Sequence, residues 1–333
     1  SIAIPHGSVV GGPYSSWLKK LPSRPIACIT KSPGATMSAQ VGNETCQRRV
    51  RNQAVIVPVM IPGAAYGSTW LRSQEDRAAY EAGADARVVP DERTCFDEAR
   101  RLLGFLPQSN RERPACAEPR EPHAGSDGWD PLDPNAWDPL AALPPDIDTP
   151  YDVRQIVTGV VDGAEFVEYA SDWARNIVCG FARLDGRPVG VVANQPDVDG
   201  GRLDVDACEK AARFVRTCDA FTIPVVTIVD CPGFASGAAH EHSGLIRSAA
   251  KLVYAHAEAS SPQVHLVVGR AEGQAAVAMG ATPSTAGACL AWPTADFGDF
   301  TVYDAAKAGA VDRVIEPNET RVALVEALAA FAD

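Results

Sequence analysis

The chain has 333 residues, of which 46% are hydrophobic and 22% charged, which predicts a globular protein of two domains or one large α/β unit. Its formal net charge of −12 argues against a nucleic-acid partner, because proteins that bind phosphate backbones neutralise them with Lys and Arg. No segment approaches the roughly 18 apolar residues of a membrane helix, so we expect no membrane partner either.

The first 107 residues contain three segments that recur, in the same order, in the second half of the chain. Each set predicts an apolar strand, a helix, a second apolar strand that ends in Pro-Gly, and a final short strand and helix. One match could arise by chance, but three in register indicate a duplicated unit. The paired segments are 24–38 with 187–201, 55–67 with 222–237, and 81–94 with 307–320.

Residues 108–150 separate the two copies and contain nine prolines, with the run WDPLDPNAWDPL in the middle. Such proline density disfavours regular helices and central strands. The segment is therefore either a linker or a strap that Trp129 and Trp137 hold against the surface. We predict an N-terminal unit over 1–107, this Pro-rich linker, and a C-terminal unit over 151–333.

The C-terminal unit alternates predicted helices and strands. An amphipathic pattern predicts a helix over 205–219, and the apolar, β-branched residues 223–229 predict a strand that is covered on both faces. A helix at 245–259, a strand at 263–269 and a loop that opens into a helix at 270–280 follow. This alternation predicts an α/β fold in which helices cover the faces of a mainly parallel sheet.

The two units differ in length between the Pro-Gly and a closing Ala-Gly-Ala. The C-terminal unit has residues 234–307 in this interval, whereas the N-terminal unit has only 64–81. The N-terminal unit is therefore predicted to be truncated, and the additional segment of the C-terminal unit holds the candidate site.

The junction at 270–280 could bind an oxyanion, because the first N–H groups of a helix have no internal acceptor. Gly273, Ala275 and Ala276 are small enough for a ligand carbonyl to approach the backbone. Close packing of the helix on the sheet would use small residues for the same steric reason. The pattern supports both interpretations equally.

Other candidate side chains also have structural interpretations. Asp230 either lies at the carboxyl end of a strand, where α/β sheets bind ligands, or caps the loop that follows, which we favour. Cys231 could be a nucleophile, but no base is identifiable and burial is favoured. Glu241 could lie in the first turn of the 245–259 helix. His256 is expected to cap or line the contact between that helix and the sheet.

The nine cysteines form no CxxC pair, and the six histidines show no ligand spacing except His240 and His242, which we expect to be solvated. We therefore expect no metal, and free buried thiols in a reducing, cytoplasmic compartment. The first residues, SIAIPHGSVV, have neither the basic nor the apolar region of a signal peptide.

Four segments of the C-terminal unit carry a specific resemblance. They are YDVRQIVTGVVDGAEFVEYASDWARNIVCGFARLDGRPVGVVANQP, LDVDACEKAARFVRTCDAFTIPVVTIVDCPGF, GLIRSAAKLVYAHAEA and LAWPTA. They look like the C-terminal half of the acyl-CoA carboxylase β subunit, the carboxyltransferase of propionyl- and acetyl-CoA carboxylases. The resemblance runs almost continuously over residues 131–296, and RRLLGFLPQSNRERP at 100–114 extends it backwards.

This resemblance implies two crotonase-like ββα spiral units, a homo-oligomer of two or more chains, and an active site between the N-terminal unit of one chain and the C-terminal unit of another. Carboxybiotin on a separate carrier protein would give its carboxyl group to the α-carbon of an acyl-CoA there. One oxyanion hole would hold the thioester enolate and a second the ureido oxygen of biotin. The biotin enolate left after carboxyl loss would take the α-proton.

Matched residue by residue, the Pro-Gly-Phe loop of the family falls on 232–234 and its biotin-side Gly-Gly-Ala segment on 273–275. Gln274 keeps the backbone N–H of the middle glycine but adds a side chain where biotin would approach. The resemblance thus implies as catalytic residues Gly233, Phe234, Gly273, Gln274 and Ala275. It implies as pocket residues Ala235, Gly237, Glu241, Glu272 and Trp292.

The N-terminal unit departs further from the family. Residues 64–81 lack the Ala-Gly-Gly-Ala of the enolate hole, and the long helical segment that family members insert after Trp-Pro-Thr-Ala is absent after Ala295. The biotin-side unit is therefore predicted to survive while much of the acyl-CoA side does not.

Three functional hypotheses follow. The first is carboxyl transfer between carboxybiotin and a short acyl thioester on CoA or a carrier protein, with a biotin carboxyl carrier or a companion carboxylase subunit as partner. The second is a decarboxylase, hydrolase or lyase that uses the remaining hole without biotin, suggested by Gln274 and the neighbouring acid Glu272. The third is a non-catalytic partner subunit of an intact carboxyltransferase.

Overall fold

The computed structural model describes residues 29–30, 55–58, 86–89, 92–120, 143–144, 149–281 and 287–331. The strands are β1 Ile29–Thr30, β2 Val55–Pro58, β3 Ala86–Val89, β4 Val167–Tyr169, β5 Ile177–Leu184, β6 Arg187–Asn194, β7 Val225–Cys231, β8 Gln263–Ala271, β9 Gly287–Ala291 and β10 Arg313–Val314. The helices are α1 Glu92–Leu103, α2 Arg154–Val160, α3 Val205–Ala220, α4 Ala238–His242, α5 Leu245–Glu258, α6 Gly273–Ala278, α7 Val302–Lys307 and α8 Thr320–Ala330.

A seven-stranded mixed sheet forms the centre of the C-terminal part, in the order β10-β9-β8-β7-β6-β5-β4. The four pairings from β6 to β10 are parallel, whereas β4, β5 and β6 pair antiparallel. The prediction of a mainly parallel sheet in an α/β fold is therefore confirmed for this part. The antiparallel edge was not predicted.

Strand β7 is buried on both faces, as the mostly apolar, β-branched residues at 223–229 predict. Val225 and Val229 belong to the core on the α3 and α5 side, whereas Val226 and Ile228 belong to the core on the α2 and α8 side. Helices thus cover both faces of the sheet. Because β7 lies at the centre, the loop that follows it is fixed from both sides.

The buried helices and strands of this part lie close to their predicted positions. Helix α3 matches the prediction over 205–219, and α5 matches the prediction over 245–259. The side chain of Asp204 fixes the start of α3, because its Oδ1 accepts the N–H of Ala207 at 2.8 Å. The predicted strands at 223–229 and 263–269 are β7 and β8.

The three N-terminal strands form a separate sheet in the order β1-β2-β3. Both pairings are antiparallel, so the predicted parallel arrangement does not hold for these strands. They fall within the segments 24–38, 55–67 and 81–94 that carry the internal match. The duplication and the unit boundaries stay predictions.

The described part of the proline-rich segment, 108–120 with 143–144 and 149–150, has turns and irregular backbone but neither helix nor strand, as predicted. Trp129 and Trp137 lie outside the described residues. Ala117 nevertheless contacts the β5–β6 turn, because its N–H donates to the carbonyl of Gly186 at 2.8 Å.

Among the described helices, none is long and apolar enough to cross a bilayer. Seven of the nine cysteines lie in the described residues, and all seven are free thiols. The buried ones are Cys95, Cys179, Cys208, Cys218, Cys231 and Cys289, whereas Cys116 is exposed.

Candidate functional site

The two predicted site segments lie side by side at the carboxyl ends of β7 and β8. Cys231 pairs with Ala271 across the two strands, and the N–H of Glu272 donates to the carbonyl of Cys231 at 3.2 Å. The loop after β7 and the start of α6 are therefore neighbours. This is the end of a parallel sheet at which α/β folds bind ligands.

The loop after β7 is held by backbone pairing with Leu203. The N–H of Leu203 donates to the carbonyl of Gly233 at 3.1 Å, and the N–H of Ala235 donates to the carbonyl of Leu203 at 2.8 Å. Gly233 has φ 141° and Gly237 has φ 120°, which are conformations that favour glycine. Gly233, Phe234 and Ala235 remain half-buried and form an ordered, partly accessible edge.

Glu241 lies in the short helix α4, where it is exposed, and not in the first turn of α5. Helix α5 begins one turn later, because Gly244 with φ 89° breaks the helical path. The expected dipole interaction of Glu241 with α5 is therefore wrong. His242 is exposed, as expected, and His240 is half-buried.

Helix α6 begins with Gly273, whose φ is +57°, and its earliest backbone bond runs from the N–H of Ala276 to the carbonyl of Glu272 at 3.4 Å. The N–H groups of residues 273–275 precede that bond. Among the described residues, no heavy atom outside its chain neighbours and its own helix backbone lies within 4 Å of the position that a Cβ of Gly273 would take. Backbone conformation and open space, not close packing, therefore account for this glycine.

Some of the other residues at the start of α6 are exposed, and others are packed in the core. Gln274 is exposed, whereas Ala275 and Ala276 are 1% and 6% exposed and belong to the core. The alternative interpretation, close helix–sheet packing, thus applies to the alanines. Glu272 is half-buried at the helix start, and its side chain makes no capping hydrogen bond.

Asp230 is 2% exposed and binds groups that the sequence did not suggest. Its Oδ1 accepts the backbone N–H of Arg270 at 2.9 Å and the Arg270 Nε–H at 3.3 Å, and its Oδ2 accepts the Tyr151 hydroxyl at 2.9 Å. The favoured interpretation, a cap for the following loop, is therefore wrong. Burial, the Asp230 charge and this hydrogen bond raise the pKa of Tyr151 far above its ordinary value.

Cys231 is fully buried, and its thiol donates to the carbonyl of Gly233 at 3.5 Å. Burial raises the pKa of Cys231 to about 11, so the thiolate that a nucleophile requires is scarce near neutral pH. The preferred interpretation of Cys231 as a buried structural residue is supported.

Trp292 is also a core residue and does not line a pocket. It is 0% exposed, and its indole N–H donates to the Thr320 hydroxyl at 2.8 Å. It anchors α8 to the sheet because an indole N–H needs a partner when it is buried. The sequence identified the Trp-Pro-Thr-Ala turn but could not show which way the ring points.

His256 lines the helix–sheet contact, as expected, and is 1% exposed. Its Nδ1 lies 2.7 Å from Gln263 Oε1, and Gln263 Nε2 donates to the His256 carbonyl at 2.8 Å. Within the described ranges, no cluster of three His, Cys, Asp or Glu side chains could hold a metal ion.

Comparison with known proteins relates this arrangement to one family. The family model described as "Carboxyl transferase domain" matches residues 60–300. The chain is 36% identical over 282 residues to methylmalonyl-CoA decarboxylase subunit alpha of Propionigenium modestum, covering 74% of this chain and 53% of that protein. It is 45% identical over 219 residues to the biotin-dependent acetyl-/propionyl-coenzyme A carboxylase beta5 subunit of Mycobacterium tuberculosis, covering 65% and 39%.

A solved structure shows the same similarity. The 12S transcarboxylase, crystallised with hydrolysed methylmalonyl-coenzyme A and described as a hexamer assembly, is 36% identical with a TM-score of 0.64. That match covers 72% of this chain and 50% of the transcarboxylase chain. The chain thus spans about half the length of the relatives it matches. With its fold and more than two thirds of its length matched, the chain belongs to the carboxyl transferase domain family.

Proposed function

We propose that this chain transfers a carboxyl group between carboxybiotin, held on a separate carrier protein, and the α-carbon of a short acyl thioester. The observation that carries the proposal is the contact between the ends of β7 and β8, where Glu272 donates to Cys231 in a member of this family. That contact brings the Gly233 loop beside the start of α6. Relatives named as biotin-dependent carboxylase subunits support the same reaction.

The start of α6 offers the donors that this chemistry needs. We assign to the N–H groups of Gly273, Gln274 and Ala275 the stabilisation of an oxyanion, because negative charge is favoured where a helix presents N–H groups without internal acceptors. The open space at Gly273 and the exposure of Gln274 fit the approach of a ureido oxygen. Carboxybiotin would supply an activated carboxyl group when bound there.

The loop after β7 would form the adjacent wall. Gly233 and Phe234 are assigned to the reacting centre, because their backbone is fixed by Leu203 and remains partly accessible. The outer pocket is assigned to Ala235, Gly237, Glu241 and Glu272. Trp292 is left out, since its ring is enclosed in the core.

The proposed partners follow from the family. The acyl group would be carried by CoA or by a carrier protein, and the biotin by a carboxyl carrier or a companion carboxylase subunit. A homo-oligomer of two or more copies is proposed, because the 12S transcarboxylase is described as a hexamer assembly. The free buried thiols support a reducing, cytoplasmic compartment.

Label transfer tests the proposal. The purified protein is incubated with methylmalonyl-CoA labelled in its free carboxyl group and with free biotin. We expect acid-labile labelled carboxybiotin to accumulate together with an equal amount of propionyl-CoA, and neither product to form without biotin. Release of labelled CO₂ at the same rate with and without biotin would contradict it, and so would the absence of any transfer when a biotin carrier is supplied.

A further inference from the structure

Strands β7 and β8 fall out of register beside the candidate site. Val229 pairs with Val267, but the next pair joins Cys231 to Ala271. Between these pairs β7 advances two residues and β8 advances four, so β8 bulges at 268–270. A bulge bends its strand and redirects the residues that follow.

The carboxylate of Asp230 fills this bulge. A Cβ on Gly269 would lie 2.5 Å from the Asp230 Cγ, so a side chain at position 269 would collide with the carboxylate. The N–H of Arg270, within the bulge, donates to Oδ1. Both carboxylate oxygens have donors, since Tyr151 binds Oδ2. The arrangement satisfies the buried charge of Asp230.

The same cluster reaches the loop after β6. The Arg270 guanidinium donates from its terminal Nη2 to the carbonyl of Gly200 at 3.4 Å. A Cβ on Gly201 would lie 2.7 Å from the carbonyl oxygen of Asp230, so these backbones are in close contact. The loop after β6 therefore meets the ends of β7 and β8 at the pair formed by Asp230 and Arg270.

The direction in which β8 leaves the bulge decides where α6 starts. Just after it, the N–H of Ala271 donates to the carbonyl of Asp296 at 2.8 Å, and the N–H of Glu272 donates to Cys231. Residues 273–275 begin one residue later. A change in the bulge would therefore move the proposed oxyanion donors relative to the Gly233 loop.

We propose that Asp230 and Arg270 are positioning residues, whose ion pair holds the β8 bulge and thereby sets the spacing between the start of α6 and the Gly233 loop. This inference rests on the proposed function for its catalytic consequence. Neither side chain is assigned contact with substrate. The role is geometric, and it can be measured in the absence of turnover.

The test uses Asp230→Asn, which keeps the shape and an acceptor for the Arg270 N–H but removes the charge. Hydrogen exchange is measured at the amides of 270–275 and, as a reference, at the β7 interior. We expect exchange at 270–275 to become roughly tenfold faster relative to the reference. In the label-transfer assay, kcat should fall while the KM for the acyl-CoA stays within about twofold, because binding of the thioester is untouched.

Matched variants separate positioning from general destabilisation. Arg270→Gln, whose backbone N–H still donates to Asp230, should reproduce the local effect, and Arg270→Lys, which keeps the charge, should restore most of it. Val322→Ser, at an exposed site on α8, should change neither quantity. If Asp230→Asn does not fold, the two Arg270 variants carry the test.

Uniformly faster exchange over the whole sheet, or equal effects of Arg270→Gln and Arg270→Lys, would overturn the proposal. If the wild-type protein transfers no label but exchange at 270–275 is locally faster in Asp230→Asn, the proposed function is refuted and the positioning role stays in place. If the wild-type protein and Asp230→Asn both transfer label fully and exchange at 270–275 is unchanged in the variant, the positioning role is refuted and the proposed function stays in place.

Discussion

At the scale of single residues, the core contains two neutral histidines in contact. The rings of His256 and His265 lie 5.6 Å apart, centroid to centroid, and meet edge to face. Gln263 fixes the tautomer of His256: its amide nitrogen binds the His256 carbonyl, so its oxygen faces Nδ1, which must carry the proton. A Cβ on Gly280 would lie 2.4 Å from the His265 ring, which leaves little room for rearrangement.

These histidines predict a loss of stability in mild acid. Burial, and then the neighbouring His256, lower the pKa of His265 to about 3, and burial lowers the pKa of His256 against the opposing effect of the hydrogen bond that its Nδ1–H donates to Gln263. Below about pH 6.5 the unfolded chain takes up protons that the folded chain does not. The free energy of unfolding therefore decreases as the pH is lowered. The contribution of His265 alone should lower the free energy of unfolding by about 2 kcal/mol when the pH is lowered from 7 to 5.

Urea denaturation at the two pH values measures this effect. His265→Gln should reduce the pH-dependent loss by most of that amount, whatever it does to the stability at pH 7. His242→Gln, at an exposed histidine, is the control and should leave the loss unchanged. An unchanged loss in His265→Gln would show that other groups are responsible.

The sequence predicted where the acidic and small residues lie but not what they bind. The pattern around Asp230 marked the end of a buried strand correctly. Its partner Tyr151 lies 79 residues earlier, and no local periodicity connects the two. Arg270 was predicted as the first residue of the loop at 270–280 but lies in β8, and its binding to Asp230 depends on a bulge, which apolar strand patterns do not reveal.

At the scale of elements, long apolar patterns were reliable because they describe burial directly. Strand β7 and helices α3 and α5 were placed to within about two residues, the usual uncertainty of element boundaries. The antiparallel pair β5–β6 was missed, although its turn, Asp185-Gly186, is a known hairpin signal. An apolar run alone does not specify whether its neighbour runs parallel or antiparallel.

That hairpin turn predicts how the proline-rich segment is attached. Gly186 has φ +73°, and a Cβ there would lie 2.0 Å from the carbonyl oxygen of Ala117. Gly186→Ala should therefore cost backbone strain of about 1 kcal/mol and also displace residues 115–119 from the turn. We expect faster limited proteolysis within 113–120, since a displaced backbone is accessible to proteases.

A matched glycine controls for strain alone. Gly298 has the same φ of +73°, but in the part of the chain that the structure describes no heavy atom beyond its chain neighbours lies within 4 Å of its Cβ position. Gly298→Ala should lower the melting temperature slightly without changing cleavage at 113–120. Equal cleavage in both variants would contradict attachment of the segment through Gly186.

At the scale of the whole molecule, the residues of the proposed site that the structure describes all belong to the C-terminal part. The ends of β7 and β8 bring the Gly233 loop and the start of α6 together, with Asp230 and Arg270 beneath them. The resemblance placed the complementary half on the N-terminal unit of another chain. Residues 64–81, where an enolate hole was sought, lie outside the described residues.

Substitutions at position 274 test most directly whether backbone N–H groups at the start of α6 stabilise charge during carboxyl transfer, as we propose. Gln274→Pro removes one N–H while a proline is tolerated in the first turn of a helix. Gln274→Ala keeps the N–H and removes only the side chain.

Label transfer from methylmalonyl-CoA to biotin is measured for both variants, with melting temperatures confirming that each is folded. We expect Gln274→Ala to retain transfer near the wild-type rate. We expect Gln274→Pro to lose about 10²- to 10³-fold in kcat, the usual effect of removing one oxyanion donor. Equal rates in two folded variants would contradict the claim.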